Sequence, residues 1–413
     1  MPKLLSLNSY HYRRGGSDVV YLEHDAMFRA LGWQTAQMAM HHPKNEPSDW
    51  SRFFVDELEF GHDYGLFDKL VMATKVVYSF EARKRLSALL DVFAADVAHV
   101  HCIYHHLSPS VLPLLKSRGI PVVLTAHDLK IACPAYKMLN EGGVCEACKG
   151  GRVWNVVARR CVRGGLATSA IVGVESALSK AAGLYRNNLA RVVTPSRFYR
   201  QKLIEWGWDA AQLAYIPNYV DAGAIEPVYA PGDYFLFFGR LAVEKGVKTL
   251  IHAAVSAGVP LKVVGTGPLE AELKTVAQGT SVEFLGYRSG DALWELVRGC
   301  RAVVLPSEWY ENAPMSILEA YAHGKPVIGA DIGGIPEMID RGRTGWLFPS
   351  KDAVALARIL EEVKALAPDV LARMGYAARE KVDQAFTRER YAREMQSLYE
   401  ELMSNPSARQ SRR

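Results

Sequence analysis

Short β-rich runs alternate with helical stretches from one end of the chain to the other, and this alternation limits the fold more than any other feature. Such a pattern is typical of parallel sheets whose strands are connected by crossover helices. In the first half we predict strands at residues 3–7, 35–38, 97–101, 121–125 and 191–194. In the second half we predict strands at 234–238, 261–264, 282–285, 302–305 and 326–328. The sequence therefore predicts an α/β protein.

The length of the chain indicates two domains, because 413 residues exceed the size of a domain built on one hydrophobic core. From the strand and helix pattern, we expect each domain to be doubly wound and Rossmann-like. Prolines, glycines and small polar residues concentrate at 216–233, where we place the connection between the domains. We expect a first domain at 1–220 and a second at 221–390. The last ten residues, 404–413, have the composition of a disordered tail.

Charge and hydropathy exclude two classes of protein. The excess of 49 basic over 44 acidic residues gives a net charge of +5, which is too weak to predict nucleic-acid binding. No stretch approaches the roughly 20 apolar residues that a membrane-spanning helix requires. We therefore expect a cytoplasmic protein that binds small anionic molecules or touches a lipid surface.

The loops that follow the strands are where ligands bind in open parallel sheets. After the first strand, Gly15 and Gly16 allow a close backbone approach, and the helix that follows can attract a phosphate. A plain tight turn is the alternative. The same choice applies to Gly265 and Gly267, since an isolated G-x-G is weak evidence for nucleotide binding.

Two cations lie in the loop after the strand at 234–238. Arg240 and Lys245 are flanked by Gly239 and Gly246. An Arg fork and a Lys point charge suit a diphosphate whose negative charge grows as it leaves. The alternative is a pair of solvated surface cations.

Two glutamates, Glu311 and Glu319, flank a predicted helix start in which Pro314 takes the first helical position. Glu319 then lies roughly 7 to 8 Å along the helix axis, so the two carboxylates can contact different parts of one extended ligand. They are poorly arranged as the acid pair of a glycosidase. Taken alone, Glu319 can equally be a solvated helix residue.

Seven motifs in order across about 300 residues resemble the retaining enzymes of glycosyltransferase family 4, which have the GT-B architecture. They are the Gly15–Gly16 loop, TAHD at 125–128, VVTPS at 192–196, IPNYVD at 216–221, GRLAVEKG at 239–246, VVGTGP at 263–268 and the E-x7-E pair. The resemblance implies two Rossmann-like domains facing a central cleft, with the donor bound mainly by the second domain and the acceptor by the first. It also implies that a final helix at 388–403 crosses back to the first domain.

The resemblance also assigns roles to residues. His127 lies beside the transferred sugar, Arg240 and Lys245 neutralise the diphosphate in place of a catalytic metal, and Glu311 contacts sugar hydroxyls. Glu319 holds the ribose, and Gly16 lies near donor and acceptor. The rest of the implied donor site comprises Gly265, Gly267, Asn312, Ala313, Pro314, Met315, Ser316 and Ile317. Many relatives have glycine or threonine where this chain has Asn312 and Ala313, which leaves the donor sugar open.

The implied function is transfer of a sugar from a nucleotide-diphosphate donor to a glycan or lipid-linked acceptor, with retention at the anomeric carbon, in cell-envelope polysaccharide synthesis. Two alternatives remain open. One is a nucleotide-sugar epimerase or hydrolase of the same fold, for which acceptor-independent donor turnover would be the main activity. The other is a non-catalytic sugar-nucleotide-binding subunit.

A cysteine-rich insertion at 131–165 follows the TAHD motif. Cys133, Cys145, Cys148 and Cys161 have the spacing C-x11-C-x2-C-x12-C, and a C-x2-C knuckle suits tetrahedral zinc. We therefore predict a structural zinc site. A redox pair, a disulfide and unligated thiols are the alternatives. Cys102 and Cys300 adjoin apolar strands and are expected in the core.

Membrane contact is a further hypothesis. Trp50, Phe53 and Phe54 precede a run that contains five cations: Lys69, Lys75, Arg83, Lys84 and Arg85. Aromatic and basic residues together can seat a domain on the inner face of an anionic membrane. Core aromatics beside a solvated basic helix face are the alternative.

Overall fold

Two six-stranded parallel sheets form the two halves of the chain, for which the computed structural model describes residues 1–57, 75–104 and 106–404. The first half contains helices α1 (Gly16–Ala30), α2 (Phe80–Val92), α3 (Val111–Ser117), α4 (Asn155–Ala158), α5 (Leu166–Ala181) and α6 (Arg197–Glu205). Its strands are β1 (Lys3–Leu7), β2 (Gln34–Met38), β3 (Val97–Val100), β4 (Val122–Thr125), β5 (Leu139–Asn140), β6 (Gly143–Val144), β7 (Arg191–Thr194) and β8 (Leu213–Tyr215). The sheet order is β2-β1-β3-β4-β7-β8, while β5 and β6 form a separate hairpin.

The second sheet has the order β11-β10-β9-β12-β13-β14, which is the doubly wound order of dinucleotide-binding domains. Its strands are β9 (Phe235–Phe238), β10 (Leu261–Val264), β11 (Val282–Gly286), β12 (Ala302–Leu305), β13 (Val327–Ala330) and β14 (Gly345–Phe348). The helices after β9 are α7 (Val247–Ser256), α8 (Glu270–Val276), α9 (Asp291–Arg298), α10 (Met315–Ala322), α11 (Ile335–Met338), α12 (Ala353–Ala365), α13 (Pro368–Ala385) and α14 (Arg388–Ser404). Short 3-10 helices lie at Ser51–Phe53, Lys149–Gly151, Ala210–Gln212, Ala222–Ala224 and Val243–Lys245.

The central strands of the second sheet are continuously apolar because helices cover both faces of that sheet. All four residues of β9 and of β12 are buried, as expected for parallel strands with helices on either side. Each sheet presents its carboxyl edge to the loops that hold the motifs. The fold therefore places the two sets of motif loops where ligands bind in such sheets.

The last helix, α14, returns to the first half. Its buried side chains repeat at helical spacing: Tyr391, Met395, Leu398, Tyr399 and Leu402. They share one core cluster with Phe28, Trp33 and Val97 of the first half. Ser404 ends this helix, and the rest of the predicted tail lies outside the described residues.

The α/β fold and all ten predicted strands are confirmed, with ends that shift by at most two residues. Two edge strands, β8 and β14, were missed. Both are short, of three and four residues, and each is only partly buried, so neither has the continuous apolar run that marks the central strands.

The aromatic residues of the membrane hypothesis face the core. Phe54 is buried, and Trp50 packs on Phe93 while its indole N–H donates to the Thr35 carbonyl at 3.2 Å. These contacts favour the alternative interpretation for the aromatics, while Lys69 lies outside the described residues. Within the described residues, no helix combines the length and the apolar character needed to span a bilayer.

Candidate active site

Lys245 and Glu311 meet at the carboxyl edge of the second sheet. Lys245 ends the 3-10 helix after β9, and Glu311 lies in the loop between β12 and α10. Lys245 Nζ and Glu311 Oε1 are 2.6 Å apart, and Ser307 Oγ donates to the same oxygen at 2.8 Å. Burial would raise the pKa of Glu311, but attraction by Lys245 and these hydrogen bonds outweigh it and lower that pKa. Glu311 is therefore an ionised, buried carboxylate at neutral pH.

Three glycines set the path of the loop that carries Arg240 and Lys245. Gly246 has a φ of +65°, and a Cβ there would lie 1.9 Å from the Pro306 carbonyl oxygen. A Cβ on Gly265 would lie 1.9 Å from the Gly239 oxygen, and one on Gly267 would lie 2.3 Å from the Leu241 oxygen. The predicted G-x-G turn thus packs directly on the cationic loop. Its contact with a donor stays a prediction.

Arg240 is exposed at this edge. No hydrogen bond or ion pair of its guanidinium to the described part of the chain is present, whereas Lys245 is engaged by Glu311. The structure therefore brings Lys245 and Glu311 together and leaves the Arg240 charge available to an incoming anion.

Helix α10 begins at Met315, one residue later than predicted, because Pro314 has extended geometry and occupies the N-cap position. The backbone N–H groups of Met315 and Ser316 have no hydrogen-bond partner among residues 1–57, 75–104 and 106–404. Glu319 lies one turn further along and is half-buried. Burial raises the pKa of Glu319 to about 7, and its carboxylate has no partner in the described chain. The start of α10 therefore offers N–H donors and a free carboxyl group to a ligand.

Asn312 ties this loop to the first half. Its Nδ2 donates to the Ala126 carbonyl at 2.8 Å, and its Oδ1 accepts from Ser196 Oγ at 2.8 Å. Asn218 Nδ2 in turn donates to the Ala313 carbonyl at 3.1 Å. Because Ala126 precedes His127, these bonds hold the Glu311 loop beside the His127 loop.

His127 follows β4 and is half-buried. Burial lowers its pKa to about 4, so its imidazole is neutral at pH 7. Gly16 begins α1 at the same edge of the first sheet, and a Cβ there would meet nothing within 4 Å. Among the described residues no hydrogen bond joins Gly16 to Lys245 or Glu311, so its role near the ligand stays a prediction.

Comparisons with known proteins identify the family of this chain. Residues 15–219 match the family model described as "Glycosyl transferase 4-like domain", and residues 225–381 match "Glycosyl transferases group 1". The chain belongs to the group 1, family 4-type glycosyltransferases. Its resemblance to that family is thereby confirmed.

Relatives of this glycosyltransferase include proteins of polysaccharide synthesis. This chain is 32% identical over 192 residues to the "Putative colanic acid biosynthesis glycosyltransferase WcaL" of Escherichia coli K12, and the match covers 43% of this chain and 47% of that protein. The match thus spans about half the length of that relative. It is 28% identical over 338 residues to the "Alpha-maltose-1-phosphate synthase" of Mycolicibacterium smegmatis, covering 76% and 81% of the two chains.

Solved structures of similar shape confirm the GT-B architecture. Sucrose-phosphate synthase from Thermosynechococcus elongatus aligns with a TM-score of 0.71 at 21% identity, covering 98% of this glycosyltransferase and 100% of that chain. Anabaena Alr3699/HepE in complex with UDP and glucose aligns with a TM-score of 0.67 at 18% identity, covering 97% and 100%. At these identities the likeness concerns the fold.

Two features of the glycosyltransferase's site were missed in the sequence: the glycine pair Gly333–Gly334 and Glu337. A Cβ on Gly334 would lie 1.9 Å from the Asn312 carbonyl oxygen, and the Gly334 N–H donates to the Glu311 carbonyl at 2.8 Å. Glu337 accepts from the Arg197 N–H at 2.9 Å and from the Phe198 N–H. It therefore caps α6 across the two halves. The Gly-Gly pair after β13 was the available signal.

Replacing Gly334 with alanine is expected to destabilise the protein by about 2 kcal/mol, because the new methyl group must displace the backbone of the Asn312 loop. The φ of Gly334 is −85°, so the effect is steric and not conformational. Urea unfolding measures it. Gly223→Ala is the matched control, since the closest atom to a Cβ there is 3.8 Å away. Equal stability of both variants would contradict the packing described for Gly334.

The four cysteines of the insertion line one small cavity of about 10 Å³ together with Met138 and Arg159. That volume suits a single water-sized occupant. Within the described ranges, however, no three His, Cys, Asp or Glu side chains are arranged to hold a metal ion. The zinc site therefore stays a prediction, in which the thiols of Cys133, Cys145, Cys148 and Cys161 must rotate toward one another.

The insertion also contacts the second half beside the site. Glu146, inside the C-x2-C knuckle, accepts from Tyr310 Oη at 2.9 Å and from Lys202 Nζ at 2.8 Å. Lys137 Nζ lies 3.1 Å from Glu244 Oε1. The insertion therefore forms a wall next to Lys245 and Glu311.

If the cysteine cluster binds zinc, the purified protein is expected to contain about one zinc ion per chain, since structural sites of this kind are tetrahedral. The double variant Cys145→Ser with Cys148→Ser should lose that zinc. Elemental analysis by mass spectrometry measures the content, and Cys300→Ala is the control because Cys300 is buried in the other half. Zinc content equal to that of the unaltered protein would exclude the two cysteines as ligands.

Proposed function

We propose that this glycosyltransferase transfers a sugar from a nucleotide-diphosphate sugar to a glycan or lipid-linked acceptor in cell-envelope polysaccharide synthesis, retaining the anomeric configuration and using no catalytic metal. The observation that carries the proposal is the meeting of Lys245 and Glu311 at the carboxyl edge of the second sheet, 2.6 Å apart. Similarity to relatives named for polysaccharide synthesis, such as the putative colanic acid biosynthesis glycosyltransferase, supports this pathway.

In this proposal the donor lies across the loops of the second half. Lys245 and the exposed Arg240 bind the diphosphate, and the N–H groups at the start of α10 add further donors. Glu311, once Lys245 turns to the phosphates, accepts hydrogen bonds from sugar hydroxyls. Glu319 accepts from the ribose.

The reaction requires little covalent chemistry from the protein. The acceptor hydroxyl oxygen bonds to the anomeric carbon while the bond from that carbon to the diphosphate oxygen breaks, on the same face of the sugar. The acceptor proton passes to the departing diphosphate oxygen. Lys245 and Arg240 stabilise the charge that develops on the diphosphate. His127, neutral and held beside the Glu311 loop, hydrogen-bonds the transferred sugar.

A thermal-shift panel of UDP-glucose, UDP-galactose, GDP-mannose and ADP-glucose tests this function. A donor at one hundred times its dissociation constant stabilises the protein by about 2.7 kcal/mol, so the correct nucleotide should raise the melting temperature. Release of nucleoside diphosphate from that donor should then depend on Glu311, as a Glu311→Ala variant would report. The proposal is wrong if none of the four donors shifts the melting temperature or is turned over.

Glu319 gives the proposed donor site a pH dependence. With a pKa of about 7, its carboxyl group is about one-tenth ionised at pH 6 and nine-tenths ionised at pH 8. The carboxylate form accepts ribose hydroxyls more strongly than the protonated form. Nucleotide affinity should therefore rise up to about tenfold between pH 6 and pH 8 in calorimetric titrations. In Glu319→Gln this rise should vanish, and its persistence there would place the titrating group elsewhere.

The same carboxyl group affects stability with the opposite trend. The folded protein holds the Glu319 proton up to about pH 7, whereas the unfolded chain releases it near the ordinary value of 4.5. The contribution of Glu319 to the free energy of unfolding therefore falls as the pH rises from 4.5 to 7. The difference in free energy of urea unfolding between the wild type and Glu319→Gln, measured across that pH range, gives the contribution of Glu319.

A further inference from the structure

A column of four histidine rings runs through the first half, from α14 to the candidate active site. The His99 and His101 rings are stacked with centroids 4.3 Å apart, and the His101 and His127 rings are inclined by only 19° with centroids 5.1 Å apart. The His24 ring meets His99 edge-on at 4.6 Å. His24, His99 and His101 are fully buried, and only His127 reaches solvent.

The column is anchored at its inner end by hydroxyl groups. Tyr391 Oη and His24 Nδ1 are 3.0 Å apart, and Tyr399 Oη lies 2.9 Å from His24 Nε2 and 2.5 Å from His99 Nδ1. His99 Nε2 is 2.7 Å from Thr125 Oγ1. Both nitrogens of His24 and of His99 are therefore engaged, so these rings cannot turn without losing hydrogen bonds.

His101 connects this fixed inner part to His127. Its Nδ1 lies 2.8 Å from His127 Nε2, while its Nε2 has no partner among the described residues. Burial lowers the pKa of His101 well below 6.5 and that of His127 to about 4, so both rings are neutral at pH 7. A neutral imidazole has one donor and one acceptor nitrogen, so one of the two rings donates to the other.

The direction of that bond follows from which nitrogen would be left unpaired. If His127 donated, the His101 proton would lie on Nε2, as a buried N–H without an acceptor, which folded proteins rarely tolerate. If His101 donates from Nδ1, its unpaired Nε2 is an acceptor, and the His127 proton lies on Nδ1. His127 Nδ1 has no protein partner in the described chain, so its N–H is free to donate to a sugar or phosphate oxygen.

We propose that His101 is a positioning residue of this site, which donates from Nδ1 to His127 Nε2 and so holds His127 in the tautomer and orientation that present its Nδ1–H to the donor substrate. This inference rests on the proposed function for its catalytic consequence. The geometry of the column stands independently of it.

Three variants separate positioning from packing. His101→Phe keeps a ring stacked on His99 and removes the hydrogen bond to His127, and should lower kcat for nucleoside diphosphate release about tenfold with KM changed less than about threefold. His101→Asn places an amide near the position of Nδ1 and should recover most of that loss. The double variant His101→Phe with His127→Phe should be no slower than His127→Phe alone, because His101 acts through His127.

The inference is overturned if His101→Phe keeps wild-type kcat, if His101→Asn is no better than His101→Phe, or if the double variant loses a further factor of ten. These comparisons use the donor identified by the thermal-shift panel. A wild type that turns over no donor refutes the proposed function, whereas an active wild type with any of these results refutes the role of His101 alone.

The tautomer can be measured without any activity. Nitrogen-15 spectra of the full-length protein with labelled histidine, recorded without ligand and with UDP, report which ring nitrogen carries the proton. We expect His127 to be protonated on Nδ1 in the wild type and to lose this preference in His101→Phe. A wild-type His127 protonated on Nε2 would overturn the inference even if the variants are impaired.

Discussion

Replacing Lys245 with alanine is expected to slow sugar transfer by about 10²- to 10³-fold, which is the usual loss when one preorganised group that stabilises transition-state charge is removed. Lys245 lies within 2.6 Å of Glu311 at the edge where the diphosphate is proposed to bind. Its charge is needed most as the diphosphate departs, so kcat should fall more than the affinity for the donor. Steady-state release of nucleoside diphosphate measures both quantities.

Lys248→Ala is the matched control for this experiment. Lys248 lies three residues further along the chain, and its exposed amine pairs with Glu272 at 2.8 Å. Its loss should change kcat less than twofold, because Lys248 has no role in the proposed donor site. An exposed ion pair of this kind also contributes at most about 1 kcal/mol to stability. Lys245→Arg should retain part of the rate. An unchanged kcat in Lys245→Ala would show that the diphosphate is stabilised elsewhere.

Replacing Tyr399 with alanine is expected to destabilise the first half by about 3 to 5 kcal/mol, the typical cost of truncating a buried aromatic residue. Its ring packs on Phe28 at 5.2 Å and on Trp33 at 5.7 Å, and its hydroxyl contacts His24 and His99. The substitution leaves a cavity and also two buried imidazoles with fewer partners. Urea unfolding monitored by circular dichroism measures the loss.

Two further variants locate the origin of the Tyr399 effect. Tyr399→Phe removes only the hydroxyl and should cost about 1 to 2 kcal/mol. Glu400→Ala, on the exposed face of the same helix, should change stability by less than about 0.5 kcal/mol. If Tyr399→Ala were as stable as Glu400→Ala, α14 would not be packed on the first half as described.

The sequence predicted the central strands well because their apolar runs are continuous and bounded by glycine and proline. Phe235–Phe238 and Ala302–Leu305 are examples. It also predicted that Lys245 and Glu311 share a site, because both follow strands of one parallel sheet and the family resemblance pairs them. Edge strands such as Gly345–Phe348 could not be predicted in this way, because half-buried segments lack a continuous apolar run.

Contacts between distant segments could not be predicted. Asn312 was predicted as a donor-site residue that departs from the family pattern, whereas its side chain bonds to Ala126 and Ser196 in the other half. His99 and His101 are two residues apart, which places them on one face of a strand. However, their partners His24 and Tyr399 come from separate helices and no local pattern links them. We predicted that the four cysteines of the insertion form one site, and in the structure all four line one cavity.

A crystal structure of the protein with bound nucleotide sugar would show whether Lys245, Arg240 and Glu311 hold the donor. We expect diphosphate oxygens to lie about 3 Å from Lys245 Nζ and to contact the Arg240 guanidinium, with the Glu311 carboxylate released from Lys245 and turned to the sugar. A nucleotide bound away from these three side chains, with the Lys245–Glu311 pair intact, would show that the donor binds elsewhere.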